Sequence, residues 1–170
     1  SREVFHKWAH QSQAHARNAQ GNIYFRDSTL YSYGPHWVMG RIHQHKTRGT
    51  LALLQSRGNS VTTNRHQGYA AQAVRHLAQV AVPFPIADRP QDHADNLHAL
   101  TVRQALAMQQ AGRALSVSRA EWQIVDARRA CADAGRYMDY FGIRRKRPVF
   151  DEAAATAALA RAHRIENPDP

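Results

Sequence analysis

The residue types best suited to hold an anion stand together near position 63, where a short strand (60–62) is expected to end and a helix to begin. Thr62, Thr63, Arg65 and His66 supply hydroxyl, guanidinium and imidazole groups there. The start of a helix also offers free backbone N–H groups and the positive end of its dipole, which attract phosphate-like anions. The pattern predicts a phosphate site, with the alternative that Thr63 or Asn64 only caps the helix.

Aromatic and basic side chains also cluster in the preceding strands. Alternation along a strand places Tyr31 and Tyr33 on one face, and Trp37 and Arg41 likewise share a face. Exposed rings beside arginines form a platform on which single-stranded bases stack, whereas buried rings would form the core beneath the helices. Both interpretations stay open, and the residues concerned are Tyr24, Tyr31, Tyr33, His36, Trp37 and Arg41.

A third candidate is a run of four adjacent cations that follows a predicted helix end and precedes Pro148. Arg144, Arg145, Lys146 and Arg147 form this run. Such a run suits phosphate contacts, or it stabilises the negative end of the preceding helix dipole.

No motif predicts a known catalytic mechanism. The chain lacks GxSxG, P-loop and HExxH patterns, and acids are scarce in the predicted sheet, which argues against two-metal chemistry. His6 and His10 are four apart on a predicted helix, but no third metal ligand stands nearby. We therefore predict no catalytic residue, metal or cofactor; a metal-free phosphodiesterase built from Tyr33, His36, Arg65 and His66 is the least favoured function.

Charge favours a polyanionic partner. The formal net charge is +10, and residues 1–80 hold ten Lys or Arg against two acids, a local balance of +8. Arg outnumbers Lys by 20 to 3, which favours bidentate phosphate contacts and stacking. A basic half of this kind attracts nucleic acid, although a genome that favours Arg codons explains part of the excess.

The compartment is expected to be the cytoplasm of a bacterial host. The single cysteine, Cys131, permits no internal disulfide, which fits a reducing environment. No apolar run reaches the roughly 20 residues of a membrane span, and the first residues show no signal-peptide core. We predict neither a membrane partner nor a particular oligomeric state.

Periodicity and turn signals predict an α+β fold with a small, mainly antiparallel sheet of four or five strands, flanking helices and a C-terminal three-helix region. A basic domain (1–81) and a helical region (91–170) are separated by a linker with three prolines (82–90). Ser118 is predicted to cap one C-terminal helix, Gly142 to end it, and Asp151 to cap the next. The predicted helices are 4–19, 63–79, 92–114, 118–141 and 151–165, and the strands are 23–25, 30–33, 37–42, 50–55 and 60–62.

Two runs, YSYGxH at Tyr31–His36 and SVTTxxH at Ser60–His66, resemble a family of small uncharacterised phage- and plasmid-encoded proteins. The resemblance covers about residues 5–80. It implies a mobile-element setting and no mechanism.

Two functions follow as hypotheses. The first is a nucleic-acid-binding accessory protein of a phage or mobile element that binds DNA or RNA mainly through phosphate contacts. The alternative is a phage-encoded protein-interaction factor that inhibits a host defence or replication complex.

Overall fold

The structure is a computed structural model that describes residues 2–58 and 60–168. Its elements in chain order are α1 (Arg2–Ala9), β1 (His15–Arg17), β2 (Ile23–Arg26), β3 (Thr29–Ser32), β4 (Val38–His45), β5 (Gly49–Gln55), α2 (Val61–Ala73), β6 (Ala78–Val82), α3 (Pro90–Arg113), α4 (Val117–Phe141) and α5 (Glu152–Glu166).

One six-stranded sheet organises the first part of the chain, with strands in the order β1-β2-β3-β4-β5-β6. The first five strands pair antiparallel, and β6 pairs parallel with β5 after the crossover through α2. The predicted α+β class, the mainly antiparallel sheet and the three C-terminal helices are confirmed. The described part of the sheet has six strands, slightly more than the four or five expected.

The predicted helix over 4–19 is wrong beyond Ala9. Gln11 adopts a left-handed φ of 49°, which ends the helix, and His15–Arg17 then pairs with β2 as an edge strand. Two positions of the supposed apolar stripe, Ser12 and His15, are polar. A stripe of that kind is too weak to compete with pairing between strands.

The short fifth strand predicted at 60–62 is also wrong. Ser60 is the N-cap of α2, and its Oγ accepts a hydrogen bond from the Thr63 amide at 3.1 Å. The helix then ends at Ala73 rather than near Gln79, because 78–82 forms β6. A short apolar run such as Val80–Val82 fits a buried strand or a helix end equally well by pattern alone.

One face of the sheet, the covered face, packs against α1 and α2. Trp8 of α1 is fully buried at its centre, donates its indole N–H to Ser28 O at 2.8 Å, and approaches Gly40 so closely that a Cβ there would lie 3.0 Å from the ring. The buried side chains around it are Val4, Phe5, Ala9, Ile23, Phe25, Leu30, Met39, Ile42, Ala52, Leu54, Ala70 and Val74.

The opposite face is apolar at β5 and β6 but polar and aromatic at β1 to β4. Over β5 and β6 it buries Leu51, Leu53, Val80 and Val82. The proline-rich segment returns to this face, where the carbonyl of Pro85 accepts a 2.9 Å hydrogen bond from His43 Nε2.

The chain divides into two compact units, Ser1–Asn96 and Leu97–Pro170, and the division falls within α3. The predicted linker at 82–90 lies before this division. In the second unit α4 and α5 pack through small residues, with Ala155 and Ala158 buried against Ile124.

The helix ends of the second unit agree largely with the sequence signals. Gly142 takes a left-handed φ of 66° at the end of α4, and Asp151 caps α5 by accepting from the Ala154 amide at 2.9 Å. Ser118 is not a cap, because α4 begins two residues earlier with Ser116 as its N-cap. Across 2–58 and 60–168, no helix combines the length and apolar character that crossing a membrane requires.

Candidate nucleic-acid interface

The polar half of the second face is built by strand register. Directly paired residues of antiparallel strands present their side chains on the same face. Arg17 pairs with Tyr24, Tyr24 with Tyr31, and Tyr31 with Val38, which makes one continuous row across four strands. A second row joins His15, Arg26, Thr29 and Arg41. We call the surface formed by His15, Arg17, Tyr24, Arg26, Tyr31 and Arg41 the open face.

Two tyrosines stack at the centre of the open face. The rings of Tyr24 and Tyr31 lie 5.0 Å apart between centroids at an interplanar angle of 16°, and both are half-buried. The guanidinium of Arg26 lies 5.7 Å from the centroid of the Tyr24 ring. Half-exposed π-faces beside a guanidinium suit the stacking of further planar groups.

The charge of the open face is not neutralised by the protein. None of the six strands contains Asp or Glu. Among the described residues, Arg17, Arg26 and Arg41 form no ion pair with a carboxylate. Arg17 and Arg26 are exposed and Arg41 is half-buried, so their guanidinium groups remain able to meet phosphates.

Tyr33 does not share the face of Tyr31. Its backbone takes a φ of 58° just after β3, which interrupts the strand alternation, and its ring stacks on His66 of α2 at 5.9 Å. The expected common face is therefore wrong for this pair. Tyr33 is 53% exposed but points away from the open face.

Trp37 and Arg41 are likewise on different faces. Tyr31 pairs with Val38 but Leu30 pairs with Gly40, so Met39 is an extra residue in β4 and reverses the alternation. Arg41 consequently joins the open face, whereas Trp37 packs against the core of the covered face. His36 is exposed and lies in the turn before Trp37.

The helix start at position 61 is largely occupied by its own contacts. Ser60 takes the Thr63 amide, and the buried Thr63 hydroxyl lies 3.0 Å from Ser60 Oγ. Thr62 and Arg65 are exposed. The helix is capped by Ser60 rather than by Thr63 or Asn64, and an anion site at the exposed Thr62 and Arg65 stays a prediction.

His66 is a buried residue of the core. It is 7% exposed, its Nδ1 lies 3.0 Å from the Ser32 hydroxyl, and its ring lies 6.4 Å from that of Phe5. Burial, and secondarily the charge of Arg65, lowers its pKa, which favours the neutral imidazole. His66 is therefore not in the exposed position at which the phosphodiesterase hypothesis would use it.

The run Arg144–Arg147 lies in the second unit, between α4 and α5, and all four side chains are exposed. Arg147 donates to Asp139 near the end of α4, with Nη1 3.2 Å from Oδ2. The pairing uses one of the four cations, and phosphate contacts at this run stay a prediction.

Three histidines meet between α1 and the end of α2. The rings of His6 and His10 lie 4.3 Å apart, and His10 stacks on His76 at 4.6 Å and 5°. Stacked rings do not converge on a central point as ligands do. Within the described residues, no group of three or more His, Cys, Asp or Glu side chains is arranged to hold a metal ion.

Acid is expected to destabilise the folded chain through its histidines. Burial is the main cause that lowers the pKa of His43, His66 and His93. The unfolded chain, with imidazoles near pH 6.5, then binds more protons, so stability is complete above that pH and is lost as the pH falls below it. The urea midpoint should therefore be lower at pH 5.5 than at pH 7.5.

His66→Gln should reduce this pH dependence, whereas the exposed His163→Gln should leave it as in the parent. A midpoint that is unchanged between the two pH values would show that the buried imidazoles are not linked to folding.

Sequence reasoning missed two arginines of the interface, Arg17 and Arg26. The first was assigned to a helix and the second to a turn. The signal that could have identified them is the alternation of polar and apolar side chains along a strand. His15 and Arg17 are separated by Ala16, and Tyr24 and Arg26 are separated by Phe25, which places each pair on one face.

The candidate interface is thus defined by geometry: a tyrosine stack on one half of a sheet face, beside arginines that form no ion pair with the described carboxylates. Comparison with known proteins adds no assignment: no protein-family model, no curated protein and no solved structure matches the chain.

Proposed function

We propose that this protein binds single-stranded nucleic acid on the open face. The observation that carries the proposal is the Tyr24–Tyr31 stack, flanked by Arg17, Arg26 and Arg41, which form no ion pair with a carboxylate of the described residues. Stacking accepts any base because every base has a π-face, and arginines supply phosphate contacts. The resemblance of the YSYGxH and SVTTxxH runs supports a phage or plasmid setting.

The surface is concave enough to receive a strand. A cavity of about 570 Å³ adjoins Tyr24, Arg26 and Arg17, lined by β1, β2 and the turns beside them. A single-stranded nucleic acid that runs across β1 to β4 would place its bases on Tyr24 and Tyr31. Its phosphate backbone would then lie along the arginines. The duplex offers no unstacked base, so single strands are expected to bind more tightly than duplexes.

Binding of labelled 12-nucleotide single strands of DNA and RNA should weaken as salt is added. With about three phosphates neutralised, the plot of log K against log salt should have a slope of roughly −2, because each phosphate contributes about −0.7 for single strands. Fluorescence anisotropy between 50 and 300 mM salt measures this slope. The DNA and RNA arms decide which of the two the protein binds.

Arg26→Gln should reduce the slope by about one phosphate's contribution. Arg164→Gln, an exposed arginine of α5, is the matched control and should keep the parent slope. Undetectable binding at 50 mM salt, or binding without salt dependence, would refute the proposal.

A protein-interaction role is the second candidate. The observation that favours it is the exposure of large apolar side chains on α4, where Trp122 and Val125 are each 65% exposed. Affinity capture from nuclease-treated host lysate, with Trp122→Ala beside the parent, tests this role. A partner that survives nuclease and is lost with Trp122→Ala would support it.

A further inference from the structure

A second cavity, the end cavity, opens where β4 begins and β5 and β6 end. It encloses about 430 Å³ and is lined by residues of the turn before β4, the ends of β5 and β6, and the segment 83–92. Among its lining residues are His36, Trp37, Val38, Arg57 and Phe84. The carboxyl ends of neighbouring parallel strands are a frequent location for ligand sites in mixed sheets.

One wall of the end cavity is an aromatic surface in a fixed position. Asn96 is fully buried and clamps the backbone of Phe84, since its amide accepts from Phe84 N and donates to Phe84 O, each at 2.9 Å. The guanidinium of Arg57 lies 4.4 Å from the centroid of the Phe84 ring. A planar guanidinium over a held ring offers a stacking surface to a planar ligand.

A second wall carries a hydrogen-bond donor without an acceptor. The indole Nε1 of Trp37 is buried and has no hydrogen-bond partner within the described chain. A buried N–H without an acceptor costs free energy, so an acceptor brought by a ligand would stabilise Trp37, which lines the cavity, once its side chain turns this N–H toward the ligand. The ring nitrogens and carbonyl oxygens of nucleobases are acceptors of this kind.

Two carboxylates and two guanidinium groups line the end cavity, Asp88 and Asp92 against Arg57 and Arg89. Asp92 is neutralised by Arg89, whose Nη2 lies 2.7 Å from Oδ1, and this pairing lowers the pKa of Asp92. Arg57 and His36 are exposed at the same cavity. A cation thus stands beside the stacking wall, where the phosphate that follows a bound base would lie.

The end cavity lies next to the row of side chains that contains Tyr24 and Tyr31 on the open face. Val38 lines the cavity and is the direct partner of Tyr31. Paired side chains on neighbouring strands have Cβ atoms about 5 Å apart. A strand lying on Tyr24 and Tyr31 would therefore reach the cavity with its next nucleotide.

We propose that the end cavity receives one unstacked nucleobase of the bound strand and selects its identity. The inference rests on the proposed function, since the strand is delivered along the open face. Phe84 and Arg57 stack on the base, and the indole N–H of Trp37 donates to an acceptor on its edge. The two tyrosines supply affinity for any sequence, and the cavity supplies preference at one position.

The test uses Trp37→Phe, which keeps an aromatic ring but removes the N–H. Affinities of the parent and variant are measured for 12-nucleotide homopolymers of each base, in the nucleic-acid type that the parent binds. The variant should lose about tenfold for the preferred base and less than twofold for the others, the scale of one hydrogen bond. Its salt slope should equal the parent's, because no phosphate contact changes.

The indole resonances in a ¹H–¹⁵N spectrum give an independent readout. The Trp37 indole proton, assigned by its disappearance in Trp37→Phe, should move downfield at saturation with the preferred homopolymer. The Trp8 proton, already bonded to Ser28 O, should stay in place. Phe84→Leu, which removes the stacking ring, should weaken binding of the preferred base, and the spectra report whether each variant is folded. Trp122→Phe is the control for a tryptophan outside the cavity.

The outcomes separate this inference from the proposed function. One outcome is that a nucleic-acid strand binds with the expected salt slope, that the Trp37 proton does not move, and that Trp37→Phe binds all homopolymers like the parent. This outcome overturns base binding in the end cavity but not nucleic-acid binding on the open face. If no strand binds, nucleoside 5′-monophosphates at millimolar concentration are titrated instead. Movement of the Trp37 proton would then support the cavity without the open face, and no movement would overturn both.

Discussion

Replacing both Tyr24 and Tyr31 with alanine is expected to weaken single-strand binding by about 30- to 1,000-fold. Loss of one base–aromatic stack costs roughly 1–3 kcal/mol, and two rings in mutual contact give less than twice that amount. Anisotropy at 50 mM salt measures the loss. The salt slope should remain that of the parent, because the arginines are retained and stacking involves no phosphate.

Two further variants make the tyrosine experiment specific. The double Tyr→Phe variant keeps both rings and should bind within about threefold of the parent. Tyr33→Ala removes a tyrosine that lies off the open face, against His66, and should also bind like the parent. Wild-type affinity of the Tyr24, Tyr31 double alanine variant, or an equal loss from Tyr33→Ala, would show that bases do not stack on this face.

Trp8→Ala is expected to destabilise the chain by about 3–5 kcal/mol. Trp8 is fully buried, and its removal leaves a cavity between α1 and the covered face as well as an unpaired Ser28 carbonyl. The ring of Trp8 lies close to the backbone of Gly40 in β4, a contact that the truncation removes. Urea denaturation followed by circular dichroism at pH 7.5 measures the change in the free energy of unfolding.

Trp122→Ala is the matched control for Trp8→Ala. Trp122 is 65% exposed, so the same truncation should change the free energy of unfolding by less than about 1 kcal/mol. Comparable losses at the two positions would mean that α1 does not dock on the sheet through Trp8. Trp8→Phe, which keeps apolar volume but loses the hydrogen bond to Ser28 O, should fall between the two.

The covered and open faces share the same strands, so stability and binding are connected through β2 and β3. Phe25 and Leu30 are buried beneath α1 and α2, while their neighbours Tyr24 and Tyr31 stand on the other side. Changes to Trp8 therefore test the scaffold, and changes to the tyrosines test the surface, with little overlap.

The sequence alone determined the features that depend on local interactions. The β2–β3 hairpin, the α+β class, the end of α4 at Gly142 and the cap of α5 at Asp151 follow from turn residues, alternation and capping side chains within a few positions. The excess of arginine and the scarcity of acids in the first half of the chain also follow from sequence.

Only the tertiary structure decided which residues share a surface. β1 was expected to be part of a helix and β6 to be partly a helix end, and both exist as strands because β2 and β5 supply pairing partners. One extra residue at Met39 and one left-handed φ at Tyr33 reverse the alternation, so that Arg41 joins the open face and Trp37 and Tyr33 leave it. His66, placed by pattern at an exposed helix start, is buried because Ser32 and Phe5 lie above it in the fold. Burial and strand register depend on contacts between separate segments of the chain. They therefore cannot be predicted from the local sequence pattern.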